Sequence, residues 1–236
     1  ECSMGKRYDE YFKRREIYRE RNVDFLEKGV DFLDIDSVFI DENVEIGRGT
    51  VVFPNVVISG DTKIGDNCII KGNSRIENSK IASGVIIDSS VILQSKVDED
   101  TKIGPFAYLR PGSDIGKNCK IGDFVEVKNS IVEDGSKASH LTYIGDAEVG
   151  KNVNLGCGVV FVNYDGVKKQ KVVVEDNAFI GCNCNLVAPV KVGANSYVAA
   201  GSTVTKKVDP ETLFVARSKG VVKRNWKLKN RSNVKK

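Results

Sequence analysis

The chain has a single histidine, His140, set in the stretch SKASHLTYIGDAEVGKNVNLGCG (136–158) with Tyr143, Asn154 and several glycines. An imidazole with an unperturbed pKa near ~6.5 can accept a proton at neutral pH, so His140 is a candidate general base. A lone histidine serves as readily as a structural side chain, and its role turns on its neighbours. Two cations, Arg110 and Lys128, stand eighteen residues apart. Held close together, Arg and Lys fit an anion between them, a phosphate above all. The alternative is two solvated cations with acidic neighbours such as Glu126. Further on, Asn163-Tyr164-Asp165-Gly166 reads as a turn, and Lys168, Lys169 and Lys171 follow it. Lysines at such a tip could hold phosphates, and a tolerated insertion would need no function.

What positions these groups is a period of six. Ile40, Ile46, Val52, Ile58, Ile64, Ile70 and Ile76 fill consecutive aliphatic slots. After a one-residue slip the phase resumes with Val97, Ile103, Leu109, Ile115, Ile121 and Val127, and a third run reads Val174, Ile180, Leu186, Val192, Val198 and Val204. Neither a helix nor an alternating strand has this spacing; a hexapeptide repeat predicts a parallel β-helix. In its left-handed triangular form, short strands lie on three faces and the aliphatic slots point inward. One hexapeptide covers each face, so residues roughly eighteen apart stack on adjacent coils. Glycines often follow the slot (Ile46-Gly47, Ile64-Gly65, Ile103-Gly104), and are expected to permit sharp corners.

That register puts Arg110 and Lys128, each directly after an inward slot, outward on one face about 5 Å apart. It also pairs Cys182 with Ala200, each two residues after a slot, a column of small side chains where a thin ligand arm could lie. His140 falls two residues after the inward Ala138, where the phase slips, close to the candidate clamp. The catalytic and structural readings of His140 stand level at this point. The predicted organisation is a connector helix and linker over 1–33, with the helix at 8–28 stopping at Gly29. An all-β prism over 34–208 and an irregular basic tail over 209–236 follow.

The bulk figures narrow the partners. At 236 residues, 41% hydrophobic and 29% charged, the composition is that of a soluble globular protein. No apolar run approaches the roughly 18 residues that span a bilayer, and no signal peptide is visible, so a membrane role is not expected and a cytoplasmic one is. The net charge of +4 conceals a tail with nine Lys or Arg from 217 to 236 and no acid. Its aromatics end with Trp226, which argues against nucleic acid. The six cysteines (Cys2, Cys68, Cys119, Cys157, Cys182, Cys184) lack zinc-type spacing, so no metal site is expected and free thiols are.

The motifs GPFAYLRPG (104–112), GDFVEVKNS (122–130), KASHLTYIGDAEVGKNVNLGCG (137–158), FVNYDG (161–166) and NLVAPVKVG (185–193) together resemble the C-terminal acetyltransferase half of the bacterial bifunctional GlmU family. The resemblance implies acetyl transfer from acetyl-coenzyme A (acetyl-CoA) to glucosamine-1-phosphate, for synthesis of UDP-N-acetylglucosamine and the cell wall. It implies His140 as general base and Arg110 and Lys128 on the sugar phosphate, with Tyr143 and Asn154 orienting the sugar. It places Cys157, Asn163, Tyr164, Lys169, Cys182, Ala200 and Arg217 against acetyl-CoA, with Cys157 and Cys182 where alanine and serine are usual. It also implies a homotrimer with sites at subunit interfaces. No Gly-rich nucleotide loop with strand–helix alternation occurs, so this chain alone is expected to acetylate but not uridylylate. Two rival readings share the prism. One is another hexapeptide acyltransferase, acting on a different amino sugar or serine; the other is a non-catalytic β-helix that binds a sugar nucleotide.

Overall fold

A computed structural model describes residues 3–224, with side chains from Lys6 onward; Cys2, Trp226 and the last cations of the tail lie outside the described residues. The described chain coils through three parallel sheets of 11, 10 and 9 strands, most strands only two or three residues long. Each strand pairs with those one coil before and after it: Ile86–Ile87 lies between Ile69–Ile70 and Lys102–Ile103. This is the parallel β-helix that the hexapeptide period predicts. The slots stack inside it, Leu109 between Ile92 and Val127 and Ile121 beside Ala138. All the slots named above are buried except Ile46, which is partly so; removing such an aliphatic side chain from water stabilises the coil by about 1.5–3 kcal/mol.

Two expectations about the repeat need correction. The break between Ile76 and Val97 is three shortened steps rather than one: Ile76 to Ile81, Ile87 to Ile92 and Ile92 to Val97 each advance five residues, and Ile81, Ile87 and Ile92 are buried slots like the rest. The missing residue comes out of a corner, so the inward phase survives. The glycines after the slot divide. Gly104 takes φ +99°, as a sharp corner requires, whereas Gly47, Gly65 and Gly116 do not have positive φ, and a Cβ at Gly65 would come within 2.6 Å of the Ser83 backbone nitrogen on the next coil. Those three are needed for close approach of coils. Ten of the eighteen described non-glycine residues with positive φ are asparagines (Asn67, Asn118, Asn152, Asn177 and Asn195 among them), the non-glycine type best suited to that conformation. Along one edge these amides stack, Asn177 Nδ2 donating to Asn195 Oδ1 at 3.2 Å.

The N-terminal helix runs Ser3–Glu27, starting earlier than the sequence suggests. It stops as expected: Gly29 takes φ +92°, its N–H bonds Leu26 O at 3.0 Å, and Val30 N–H bonds Phe25 O at 3.0 Å. Phe25 and Val30 are both buried, which completes a Schellman stop with its apolar contact. The helix lies against the first coil. Asn22, wholly buried, donates to Ile35 O and Val38 O at 2.8 and 3.0 Å. Strand pairing begins with Asp31–Phe32 and ends with Leu213–Phe214, slightly outside the 34–208 span expected for the prism.

Candidate active site

His140 ends the strand Lys137–His140, which pairs in register with Lys120–Asp123. These four-residue strands are longer than their neighbours, and the extra ladder sets Asp123 directly opposite His140. The approach is tight. Gly122 has no side chain because a Cβ there would run into the Ser139 carbonyl. His140 Nδ1 lies 2.5 Å from Asp123 Oδ1, and the pair is half-exposed. The hydrogen bond from His140 is the main cause holding the Asp123 carboxyl below the usual range. An ionised carboxylate can only accept, so Nδ1 carries the proton and Nε2 is left as the basic nitrogen. Sequence reasoning missed Asp123. The signal was present: like His140 it sits two residues after an inward slot, one coil earlier, but seventeen rather than eighteen residues away.

Continuing that register, Cys157 follows His140 on the next coil. Cys182 and Ala200 follow on the next two: Asn183 N–H bonds Cys157 O and Gly201 N–H bonds Cys182 O, both at 2.8 Å. At about 4.8 Å per coil the column from His140 to Ala200 is about 14 Å long. The side chain of Cys157 is partly accessible, and those of Cys182 and Ala200 are exposed. Arg217 closes the far end, its Nη1 donating to Ala200 O at 2.6 Å. The other described cysteines are structural. Cys68, Cys119 and Cys184 are buried and direct their thiols at carbonyls, and burial pushes Cys119 up to about 11.

The next face holds the cations. Arg110 and Lys128 are in register on adjacent coils, as their spacing predicts. Each also has its own acid. Arg110 Nη1 donates to Glu126 Oε1 at 2.8 Å, which is the chief reason its pKa is raised. Lys128 lies 3.4 Å from Asp146 Oδ2 with both side chains largely covered, at 17% and 14% exposure. Asp146 also accepts from Asn129 Nδ2 at 2.7 Å and Asn163 Nδ2 at 2.6 Å. Burial pushes its carboxyl up, but these bonds and the Lys128 charge outweigh it and leave the pKa lowered. The extruded segment folds back onto this group. Asp165 Oδ1 accepts from the N–H groups of Val167 and Lys168, Tyr164 Oη donates to Gly166 O, and Tyr164 bridges to Lys169. This brings Lys169 beside Lys128: a hydrogen bond from the Lys128 ammonium, together with its charge, lowers Lys169, while the contact raises Lys128. An anion bound there would let both lysines carry their charge.

Tyr143 belongs to this cluster: its hydroxyl accepts from Asn163 Nδ2 at 3.4 Å, and Gly145 leaves space that a Cβ would take from its ring end. Asn154 does not. It stands on the His140 face, in register with Lys137, away from Arg110 and Lys128. Beside the cluster an open cleft of ≈ 530 Å³ is lined by Asn129, Asp146, Lys169 and Lys171 among others. Among the described residues no group of three or more His, Cys, Asp or Glu side chains is arranged to hold a metal ion, and no helix is long and apolar enough to cross a membrane.

Residues 91–200 match the family model of the GMPPB C-terminal domain, and 43–78 match the bacterial transferase hexapeptide (six repeats). The chain is 59% identical over 194 residues to the bifunctional protein GlmU of Acetivibrio thermocellus, covering 82% of this chain and 42% of that one. It is 56% identical over 191 residues to the GlmU of Clostridioides difficile, covering 81% and 42%. The chain thus spans less than half the length of these relatives, over their C-terminal part. Two solved structures share the fold: the UDP-N-acetylglucosamine acyltransferases of Francisella novicida (TM-score 0.53, 19% identity, 76% of this chain and 65% of that one) and Arabidopsis (0.55, 17%, 80% and 66%).

Proposed function

The chain belongs to the bifunctional GlmU family, over the C-terminal part of those proteins, and from that premise we propose that it transfers the acetyl group of acetyl-CoA to the amine of glucosamine-1-phosphate. The product, N-acetylglucosamine-1-phosphate, would serve UDP-N-acetylglucosamine and cell-wall synthesis. The observation that carries this reading is the Asp123–His140 pair, set between a column of small side chains and a cation cluster.

In this reading the thioester arm lies along Cys157, Cys182 and Ala200, with Arg217 and Lys169 available to its phosphates. Arg110 and Lys128 hold the sugar phosphate, which fixes the amine near His140. Tyr143 lines the same group, Asn154 meets the sugar from the His140 face, and Asn163 and Tyr164 lie against acetyl-CoA. Asp123 keeps the Nδ1–H in place, and Nε2 takes a proton from the amine as it attacks the acetyl carbon. The thioester is already activated, so positioning and proton removal supply the rate. The working form is a homotrimer. Phe106 and Phe124 stack at 5.6 Å on the corner beside His140, with Leu141 next in line, and all three are more than half exposed, which supports a second subunit covering that edge.

The test is thiol release from acetyl-CoA by the purified chain with glucosamine-1-phosphate, beside glucosamine-6-phosphate and serine. Release with the 1-phosphate alone, falling on the order of 10³-fold in His140→Ala, is the expected result. Release with another acceptor only would move the chain to a different hexapeptide acyltransferase. Binding without turnover would make it a non-catalytic sugar-nucleotide module.

A further inference from the structure

Asp123, His140 and Cys157 stand on three consecutive coils in one column, a carboxylate, an imidazole and a thiol in order. Asp123 holds Nδ1 from the preceding coil, and Cys157 stands opposite His140 on the following coil, so the imidazole lies between the carboxylate and the thiol in the column. Among the described residues nothing hydrogen-bonds to the other ring nitrogen. A nucleophile, a base and a group that orients the base is the arrangement that activates a thiol for acyl transfer. From this juxtaposition we propose that Cys157 is itself an acyl acceptor, taking the acetyl group of acetyl-CoA onto its thiol. The inference rests on the acetyl-CoA reading above.

The other thiols lack one or more of these conditions. Cys68, Cys119 and Cys184 are buried, are bonded to carbonyls, and are pushed up by burial. Cys182 is exposed, but lies one coil further from the imidazole than Cys157. Cys157 alone combines accessibility with a place next to His140.

The step balances without another reactant. His140 Nε2 takes the thiol proton while Cys157 Sγ attacks the acetyl carbonyl carbon. The Sγ–carbon bond forms, the coenzyme A sulfur–carbon bond breaks, and the imidazolium returns the proton to the departing thiolate. One thioester is exchanged for another, so the reaction is reversible, and occupancy follows the ratio of acetyl-CoA to free coenzyme A.

The experiment incubates the full chain with acetyl-CoA and no sugar, quenches in acid and maps tryptic peptides by mass. Cys157 is the sole cysteine of the peptide 152–168, so the site is read in the unaltered protein. Expected is one acetyl group on that peptide, removed by neutral hydroxylamine and by excess coenzyme A. The peptide with Cys182 should stay unlabelled, and labelling should slow by about 10²-fold or more in His140→Ala. Cys157→Ser should lose the hydroxylamine-labile label. Equal labelling of Cys157 and Cys182 that ignores His140→Ala, or label on lysines alone, would overturn the proposal. A parallel assay with glucosamine-1-phosphate separates the two readings. Turnover with no label on Cys157 overturns this inference and leaves the transferase; label without turnover removes the sugar reading and leaves this one; neither removes both.

Discussion

The imidazole of His140 and the carboxylate of Asp123 are joined across two coils at 2.5 Å, and the backbone ladder continues through both residues. The pair is therefore held by the scaffold rather than by a mobile loop. An accepting carboxylate leaves one ring nitrogen basic, while an amide need not.

Asp123→Asn tests this point. Its amide can donate to Nδ1, which would move the ring proton to Nε2 and remove the base. We expect kcat to fall by about 10²–10⁴-fold, at least as far as in Asp123→Ala, with the KM for acetyl-CoA little changed. Wild-type kcat in Asp123→Asn would show that the carboxylate does not set the tautomer.

Gly122→Ala should damage the same pair from the backbone. The new Cβ meets the Ser139 carbonyl, a rigid neighbour, so the two coils must separate. A loss of about 1–3 kcal/mol is expected by denaturant titration, with a drop in kcat larger than the stability change explains at assay temperature. A variant with unaltered kcat would mean that the ladder does not position the catalytic pair.

The cation cluster should read out the phosphate. A charged hydrogen bond contributes about 1.5–3 kcal/mol, so Arg110→Ala should raise the KM for glucosamine-1-phosphate by roughly 10- to 100-fold at similar kcat. Unphosphorylated glucosamine should be used equally poorly by both proteins. If the variant loses as much on glucosamine as on the phosphate, Arg110 does not bind the phosphate.

Asp146 predicts an acid branch in stability. Its carboxyl is lower in the folded protein than in the unfolded chain, so its stabilisation is complete above the ordinary value of about 3.9. It is lost as pH falls through the lower folded value. The difference in Tm between wild type and Asp146→Asn should be largest near neutral pH and shrink below about pH 4. A difference that stays constant to low pH would mean the carboxylate's charge is not what stabilises.

The prism and its core were legible because the slots are read by a fixed step; the step fails where a corner loses a residue and where the segment between Phe161 and Val174 is extruded. The first is why Ile81, Ile87 and Ile92 were passed over, although each packs as the other slots do. The clamp was legible because no short step lies between Arg110 and Lys128. Asp123 was not, because the five-residue step from Val127 to Val132 makes its coil seventeen residues long, and counting by eighteen passes it by. Of the acids facing the cations, Glu126 was legible as a neighbour of the clamp, but Asp146 was hidden: it occupies a corner, where neither period nor spacing marks a side chain that turns back.

A coil of parallel strands has two ends, and at each the last ladder presents unpaired N–H and C=O groups to whatever arrives. The N-terminal helix lies over one of them, with Phe25 and Asn22 seated against the first coil. In that position the helix is a stopper against growth: without it, the exposed ladder of one molecule could accept the bare end of another, and a molecule built by repetition would continue by polymerisation into fibres.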